Sequence, residues 1–227
     1  VVLDNVQFEK NSFINRNKIK TSAGPLWLTV PVLTAGHTRN SVYDIKINNS
    51  VDWKIKHWKS ICLNYQKASY FTQFSGFFED MFLRDWERLC DLLDYSFQFF
   101  INEIGIKTRI HKQRDLNISG KKQELIFDLV KHFGANVFVF GALGKEYADV
   151  SYFEKKSIIP YFQDYRHPAY PQSGKDFIPN LSIIDILFNA GKERASEIII
   201  EGNITNDELR RMIGAKYEKN IGCGSAS

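Results

Sequence analysis

The sequence VFVF at residues 137–140 decides the fold class, because a continuous run of β-branched and aromatic residues is typical of a buried parallel strand. A helix is predicted before it, over residues 123–133, and Gly134 supplies a C-terminal stop. A short helix at 150–156 and a strand at 158–163 are predicted after it. This alternation predicts an α/β fold with a mostly parallel sheet in an α/β/α-type arrangement.

Upstream of this part, an inserted helical region is predicted over residues 53–104. Apolar residues recur at helical spacing over 53–67, which predicts one helix there. Residues 70–104 are predicted to form two or three helices, broken near Gly76 and around residues 83–85. The many aromatic side chains of this region are expected to lie in the core rather than around a cofactor.

Strands are also predicted near the start of the chain, at 4–8, 27–32 and 42–47, from their β-branched and aromatic residues or their alternation. A short polar loop is predicted between the first two. The polar residues in and beside this loop are Asp4, Gln7, Asn15, Arg16, Asn17 and Lys20. Such a set suits an anionic or heavily hydroxylated ligand, because guanidinium binds phosphate or carboxylate and amides bind hydroxyls in both directions.

The composition favours one domain and gives no argument for nucleic acid as a partner. A chain of 227 residues that is 44% apolar can bury a substantial core. A net charge of +4 is too small to indicate nucleic-acid binding. No apolar run approaches the roughly 18 to 20 residues of a membrane helix, and no signal peptide is visible. We expect a cytoplasmic protein with no membrane span, whose oligomeric state the sequence leaves open.

The cysteines and histidines indicate neither a metal nor a disulfide framework. The three cysteines are far apart and odd in number, which fits reduced thiols. The five histidines show no spacing of metal ligands. We therefore expect no metal site and no cofactor.

Several separated motifs resemble the WbqC-like family of bacterial proteins, over roughly residues 1–191. They are DNVQF at 4–8, NRN at 15–17, WLTVPV at 27–32, HWK at 57–59, YQKA at 65–68, GALGK at 141–145 and LSIIDILFN at 181–189. The family usually has a second Asp where this chain has Asn5, and a further strand, turn and helix before the first motif. The resemblance implies a single α/β domain over 1–215 that lacks its first βα unit, followed by a disordered tail at 216–227.

The resemblance implies an acyl- or aminoacyl-transferase that acts on an amino sugar, free or nucleotide-linked, in the biosynthesis of bacterial surface polysaccharide such as O-antigen or lipopolysaccharide. The partners would be this sugar and an acyl donor. The alternative is a non-catalytic module that binds a glycan or nucleotide-sugar intermediate, or that scaffolds a synthase complex. Glycosyl transfer is disfavoured, because no D-x-D motif for a metal-bound nucleotide occurs in the chain.

Two residues are candidates for proton transfer. His57 is the only histidine inside one of the motifs, at the border between the apolar and polar faces of its predicted helix. An imidazole there could take a proton from an attacking amine or hydroxyl, or it could simply bind the backbone. Asp4 ends an otherwise apolar strand and could act as the general base or orient His57.

A second loop carries the next candidates, Gly141, Gly144 and Lys145. Glycines let backbone amides approach a phosphate, and a lysine adds charge, although the spacing is not that of a Walker A loop. A plain structural turn is the alternative.

Ser182 and Asp185 complete the candidate substrate-binding residues. Ser182 is predicted to cap a helix that Gly191 ends, with Asp185 at the capping-box position. Capping its own helix is the simplest role for Asp185, and binding the substrate is the other.

Overall fold

The structure, a computed structural model, describes residues 1–34, 40–118, 120–205 and 207–214. The elements follow in the order β1 (Arg16–Thr21), β2 (Gly24–Thr29), α1 (Trp53–Tyr65), α2 (Phe71–Leu83), α3 (Leu89–Glu103), α4 (Gln123–His132), β3 (Val137–Phe140), α5 (Gly144–Tyr147), α6 (Val150–Glu154), β4 (Ile159–Phe162) and α7 (Ile183–Glu201). The backbone of α7 is non-helical at Gly191, where the sequence predicts a helix end, and helical residues follow it. Residues 207–214 are helical as well.

The strands form two small sheets. β1 and β2 make an antiparallel hairpin in which Lys18 lies opposite Trp27. β3 and β4 pair in parallel, with Val137 opposite Ile159. The mixed α/β class is therefore confirmed, but a large parallel sheet of the α/β/α type is not found among the described residues.

The strand predictions near the start of the chain are partly wrong. Residues 4–8 join a neighbour through a bridge at Gln7 rather than a regular strand, and residues 42–47 begin with a 3-10 turn. The predicted polar loop is largely strand β1. Its lysines hid this strand, in which Ile19 is 1% and Lys20 8% exposed. A lysine can be buried in a strand when other groups accept from its ammonium, as Gln172 does for Lys20.

The helical insertion is confirmed over α1, α2 and α3. The chain breaks between α2 and α3 as predicted, but Gly76 lies inside α2 and does not interrupt it. One glycine costs a helix about 1 kcal/mol, and the burial of Phe74 and Phe78 on either side of it offsets that cost.

The chain divides into two compact units. Unit 1 comprises Val1–Leu116 and Ala169–Ile198. Its core surrounds Phe188, which is fully buried and whose ring centroid lies 5.2 Å from that of Tyr65 and 5.4 Å from that of Phe78. Phe74 and Phe78 of the insertion are therefore core residues, as predicted, whereas Phe71, Phe77, Phe82 and Trp86 are half-buried.

Unit 2 comprises Asn117–Pro168 and the chain from Ile199 onward. Its core contains Val130, Phe140, Phe153 and Ile158. The single domain over residues 1–215 stays a prediction, and the predicted disordered tail lies outside the described residues. In the described ranges, no helix combines the length and the apolarity needed to cross a membrane.

Candidate functional site

A cavity of about 250 Å³ lies in unit 1 between the β1–β2 hairpin and helices α1, α2 and α3. We call it the His57 cavity. The predicted site residues that line it are Asn15, Arg16, Asn17, His57 and Ser182. Most of the remaining wall is apolar, with Ile61, Phe78, Met81 and Leu92 among its residues. The structure thus brings a polar set from three separate motifs to one mainly apolar space.

His57 enters this cavity from α1 and is 9% exposed. Its ring meets those of Trp53 and Phe82 edge-on, at centroid distances of 5.4 and 6.1 Å. Burial lowers the pKa of the imidazole to about 4, although a hydrogen bond to the Thr29 carbonyl acts in the opposite direction. The ring is therefore neutral at pH 7, and the nitrogen that does not face Thr29 is left as an acceptor.

The residues of the NRN motif lie at the start of β1. The Asn15 amide is buried and donates to the Val30 carbonyl at 2.8 Å, which joins this end of the strand to β2. The Arg16 guanidinium donates to the Asn11 carbonyl and lies 4.3 Å from the centre of the Trp27 ring. Its Nε atom is buried without a hydrogen-bond partner in the described part of the chain. One hydrogen-bond donor of Arg16 is therefore unused among the described residues, and the guanidinium charge has no carboxylate partner there.

Asp4 lies elsewhere in unit 1 and is not among the residues that line the His57 cavity. Its carboxylate is 2% exposed and accepts from the backbone N–H of Arg114 at 3.0 Å. Its Oδ2 atom lies 2.9 Å from Arg114 Nη1, and the same guanidinium pairs with Asp94 at 2.7 Å. Asp4 therefore does not share this cavity with His57, and its carboxylate has a structural partner in Arg114.

Lys20 and Asp185 belong to a buried polar cluster of unit 1. The Lys20 ammonium donates to Gln172 Oε1 at 3.2 Å and to the Asp176 carbonyl. The fully buried Asp185 carboxylate accepts from the hydroxyls of Tyr65 at 2.7 Å and Tyr170 at 2.8 Å. Burial raises the pKa of Asp185, against the lowering effect of these hydrogen bonds.

The capping-box prediction for Ser182 and Asp185 is wrong. The Asp185 side chain binds two tyrosines, and the Ser182 backbone N–H that a capping box would occupy donates to the Lys18 carbonyl at 2.8 Å. Long-range partners have replaced the local ones, because a buried carboxylate gains most from donors that are themselves buried.

The remaining predicted residues lie apart from the His57 cavity. Gln7 is exposed in unit 1 and forms a bridge with Ser41. Gly141, Gly144 and the exposed Lys145 belong to unit 2. The Gly144 N–H donates to the Gly141 carbonyl at 2.9 Å, and a Cβ atom on Gly144 would lie 2.5 Å from Phe140 Cβ. These contacts favour the structural turn, since close packing explains Gly144 without a phosphate.

Sequence reasoning missed Tyr65, Tyr170 and Gln172 as partners of the predicted residues. Tyr65 stands in the YQKA motif, so the resemblance had pointed to its position without giving it a role. Tyr170 and Gln172 carry no such signal, and only the tertiary contacts reveal them. Within the described ranges, no three His, Cys, Asp or Glu side chains are grouped as ligands of a metal would be.

Comparison with known proteins gives one family and one curated relative. Residues 1–197 match the model of the WbqC-like protein family. The uncharacterized protein Rv1507c of Mycobacterium tuberculosis is 31% identical over 195 residues, which cover 85% of this chain and 84% of that protein. No solved structure matches the chain.

Proposed function

Because this chain belongs to the WbqC-like protein family, we propose that it transfers an acyl or aminoacyl group to an amino sugar during the biosynthesis of a bacterial surface polysaccharide, such as O-antigen or lipopolysaccharide. One observation carries the proposal. The His57 cavity joins a mainly apolar wall to a neutral imidazole and to the polar groups of Asn15, Arg16 and Asn17. The apolar wall would hold an acyl group. The imidazole and the polar groups would bind a reacting amine and the polar molecule that carries it.

The size of the cavity favours a small acyl group. Its volume of about 250 Å³ lies just below the roughly 300–1,000 Å³ of pockets for drug-sized ligands. A short acyl or aminoacyl group therefore fits better than a long fatty chain. Residues such as Ile61 and Met81 would contact the carbon atoms and exclude water from the carbonyl.

In the transfer step, His57, Arg16 and Asn17 each have a role. The amine nitrogen of the sugar attacks the carbonyl carbon of an activated donor, forming a C–N bond, and the bond to the leaving group then breaks. The free nitrogen of His57 takes the proton that the amine loses and returns it to the leaving group. Arg16 holds a phosphate or carboxylate, and Asn17, which is exposed, binds a sugar hydroxyl or amide.

The other predicted residues take supporting roles in this proposal. Lys20 and Asp185 hold the neighbouring loop around Gln172, and Asp4 stabilises the fold through Arg114. The substrates are small molecules, and a cytoplasmic location with reduced cysteines fits an activated donor.

A non-catalytic binding module is the second candidate, and one observation favours it. In the described part of the chain, no carboxylate lines the His57 cavity, so none orients the imidazole or stabilises its protonated form there. A cavity of this kind could hold a glycan intermediate without transforming it.

Variants of His57 decide between the two candidates. The purified protein is incubated with a panel of activated acyl donors and an amino sugar linked to uridine diphosphate, and products are measured by mass spectrometry. We expect transfer by the wild type and a loss of about 100-fold or more in His57→Gln. His132→Gln changes an exposed histidine of unit 2 and should retain activity.

Calorimetry on the same proteins separates the outcomes. Binding of the sugar without any turnover, unchanged by His57→Gln, would replace the transferase with the binding module. Absence of both binding and turnover with every donor would overturn the proposal.

A further inference from the structure

Two large aromatic side chains lie open to solvent beside the His57 cavity. Phe13 is 62% exposed and Trp27 is 39% exposed. Their ring centroids are 5.2 Å apart and their planes are inclined by 53°, so that together they form a continuous apolar surface. Phe13 also lines the cavity, which makes this surface continuous with the proposed site of transfer. Exposed aromatic pairs at the edge of a cavity are typical of ligand contacts.

Two cations contact the same aromatic surface. The Arg16 guanidinium carbon lies 4.3 Å from the centre of the Trp27 ring, and Lys18 Nζ lies 5.6 Å from it. Lys18 is directly opposite Trp27 in the register of the hairpin, so their side chains share one face of the sheet. We call the four residues Phe13, Arg16, Lys18 and Trp27 the Trp27 platform.

The charges of the platform are available to a ligand. Neither Arg16 nor Lys18 makes an ion pair with any described carboxylate. Arg16 uses donors for the Asn11 carbonyl, while its buried Nε atom has no partner among the described residues. Both cations contact the Trp27 ring but lack a carboxylate partner among the described residues, so an anion could still pair with them, and Phe13 with the exposed part of Trp27 could contact a flat ring.

We propose that the Trp27 platform binds the nucleotide part of a nucleotide-linked amino sugar. The base stacks on Trp27 and Phe13, the diphosphate lies against Arg16 and Lys18, and the sugar reaches the edge of the His57 cavity beside Asn17. A neutral glycan would leave the cations unpaired, and a free phosphate would leave the rings exposed. A flat base joined to an anion would contact both the aromatic rings and the cations of the platform.

This inference deepens the proposed function and rests on it for the sugar, but nucleotide binding can be measured without any transfer. Titration calorimetry and tryptophan fluorescence use the whole chain with uridine diphosphate, adenosine diphosphate, uridine and pyrophosphate. We expect both diphosphates to bind and quench fluorescence, because stacking depends little on the identity of the base. Uridine and pyrophosphate should each bind more weakly.

Three variants locate the binding. Trp27→Ala should weaken uridine diphosphate about tenfold and abolish the quenching. Lys18→Gln should weaken uridine diphosphate and pyrophosphate but not uridine, and it keeps every aromatic ring in place. Leu26→Ala is the matched control, because Leu26 is 40% exposed and lies on the opposite face of the same strand. This variant should bind uridine diphosphate with the affinity of the wild type.

Circular dichroism checks that each variant is folded. The inference is overturned if neither diphosphate binds at millimolar concentration, if Leu26→Ala loses as much as Trp27→Ala, or if folded Lys18→Gln binds as the wild type does. Trp27-dependent nucleotide binding without acyl transfer would support this inference and end the transferase proposal. Acyl transfer to a free amino sugar without nucleotide binding would support the transferase proposal and overturn this inference.

Discussion

The Tyr65 hydroxyl donates a hydrogen bond to Asp185 across 2.7 Å, although 120 residues separate the two in the chain. The same hydroxyl accepts from the backbone N–H of Lys20 at 2.8 Å. One side chain of α1 therefore joins strand β1 to helix α7. Because Asp185 is fully buried, this hydroxyl and that of Tyr170 replace the water that the carboxylate would otherwise need.

Removing the Tyr65 hydroxyl should destabilise unit 1. Tyr65→Phe leaves the Lys20 N–H without its acceptor and Asp185 with one donor fewer. We expect the free energy of unfolding, measured in urea, to fall by about 2 kcal/mol or more. Tyr147→Phe removes a hydroxyl from a tyrosine that is 66% exposed, and it should change the free energy of unfolding by less than about 0.5 kcal/mol. Equal effects in both variants would contradict this role of Tyr65.

The buried imidazole of His57 should make stability depend on pH. Its pKa is about 4 in the folded protein and 6.5 in the unfolded chain, so the unfolded chain binds more protons between these values. The contribution of the neutral His57 imidazole to the free energy of unfolding should be fully present above pH 6.5, and it should be lost as the pH is lowered toward 4. The loss between about pH 7.5 and about pH 4.5 should be roughly 2 kcal/mol.

Urea unfolding at these two pH values, in the wild type and in His57→Gln, measures this contribution. The variant cannot titrate at this position, so its loss of stability on acidification should be smaller than that of the wild type. An identical loss in both proteins would mean that the imidazole is as well hydrated in the folded state as in the unfolded chain.

Replacing Asp4 should impair folding rather than chemistry. Asp4→Asn removes the ion pair with Arg114 but leaves Arg114 its second partner, Asp94. We expect a loss of about 2 to 3 kcal/mol in urea unfolding, since a buried pair broken from one side usually costs roughly 3–5 kcal/mol. Turnover per folded molecule should be retained. Asp52→Asn, at an exposed position, is the control for charge removal. A folded Asp4→Asn protein without turnover would restore the catalytic prediction for this residue.

Gly191 should not tolerate a side chain. Its φ is 75°, and a Cβ atom would lie 2.7 Å from Tyr70 Cε1. Gly191→Ala therefore combines backbone strain with a steric conflict and should cost about 2 kcal/mol or more. Gly105 has a φ of 73° but no neighbour within 4 Å of its Cβ position, so Gly105→Ala should cost only about 1 kcal/mol. Thermal unfolding measures the loss of stability in each variant. An equal loss in both would show that the contact with Tyr70 adds nothing to the cost at Gly191.

Local patterns predicted most of the helices and one pair of strands. The apolar spacing from Trp53 onward is a property of neighbouring residues, and α1 begins at that residue. The same applies to Val137–Phe140, which forms strand β3 as predicted. Its predicted burial is found only at Phe140, since Val139 is 49% exposed. Strand β1 escaped prediction because Lys18 and Lys20 gave it a polar sequence, and because the burial of Lys20 next to Ile19 depends on distant partners such as Gln172.

The candidate site was predicted in part, for a physical reason that Asp185 illustrates. Its sequence neighbours suggested a capping box, since Ser182 stands three positions before it. Its actual partners, Tyr65 and Tyr170, could be found only when distant segments were packed together. Burial decided the outcome, because a carboxylate away from water must bind whichever donors the tertiary structure places next to it.

The sequence by itself determined the family, the positions of most helices and the polar residue types available for chemistry. Only the tertiary structure decided that Asn15, Arg16, Asn17 and His57 share one cavity while Asp4 pairs with Arg114. Helix and strand formation depends on spacing over a few residues, which the sequence displays directly. The meeting of side chains from different motifs depends on strand register, helix packing and burial, which are properties of the folded chain.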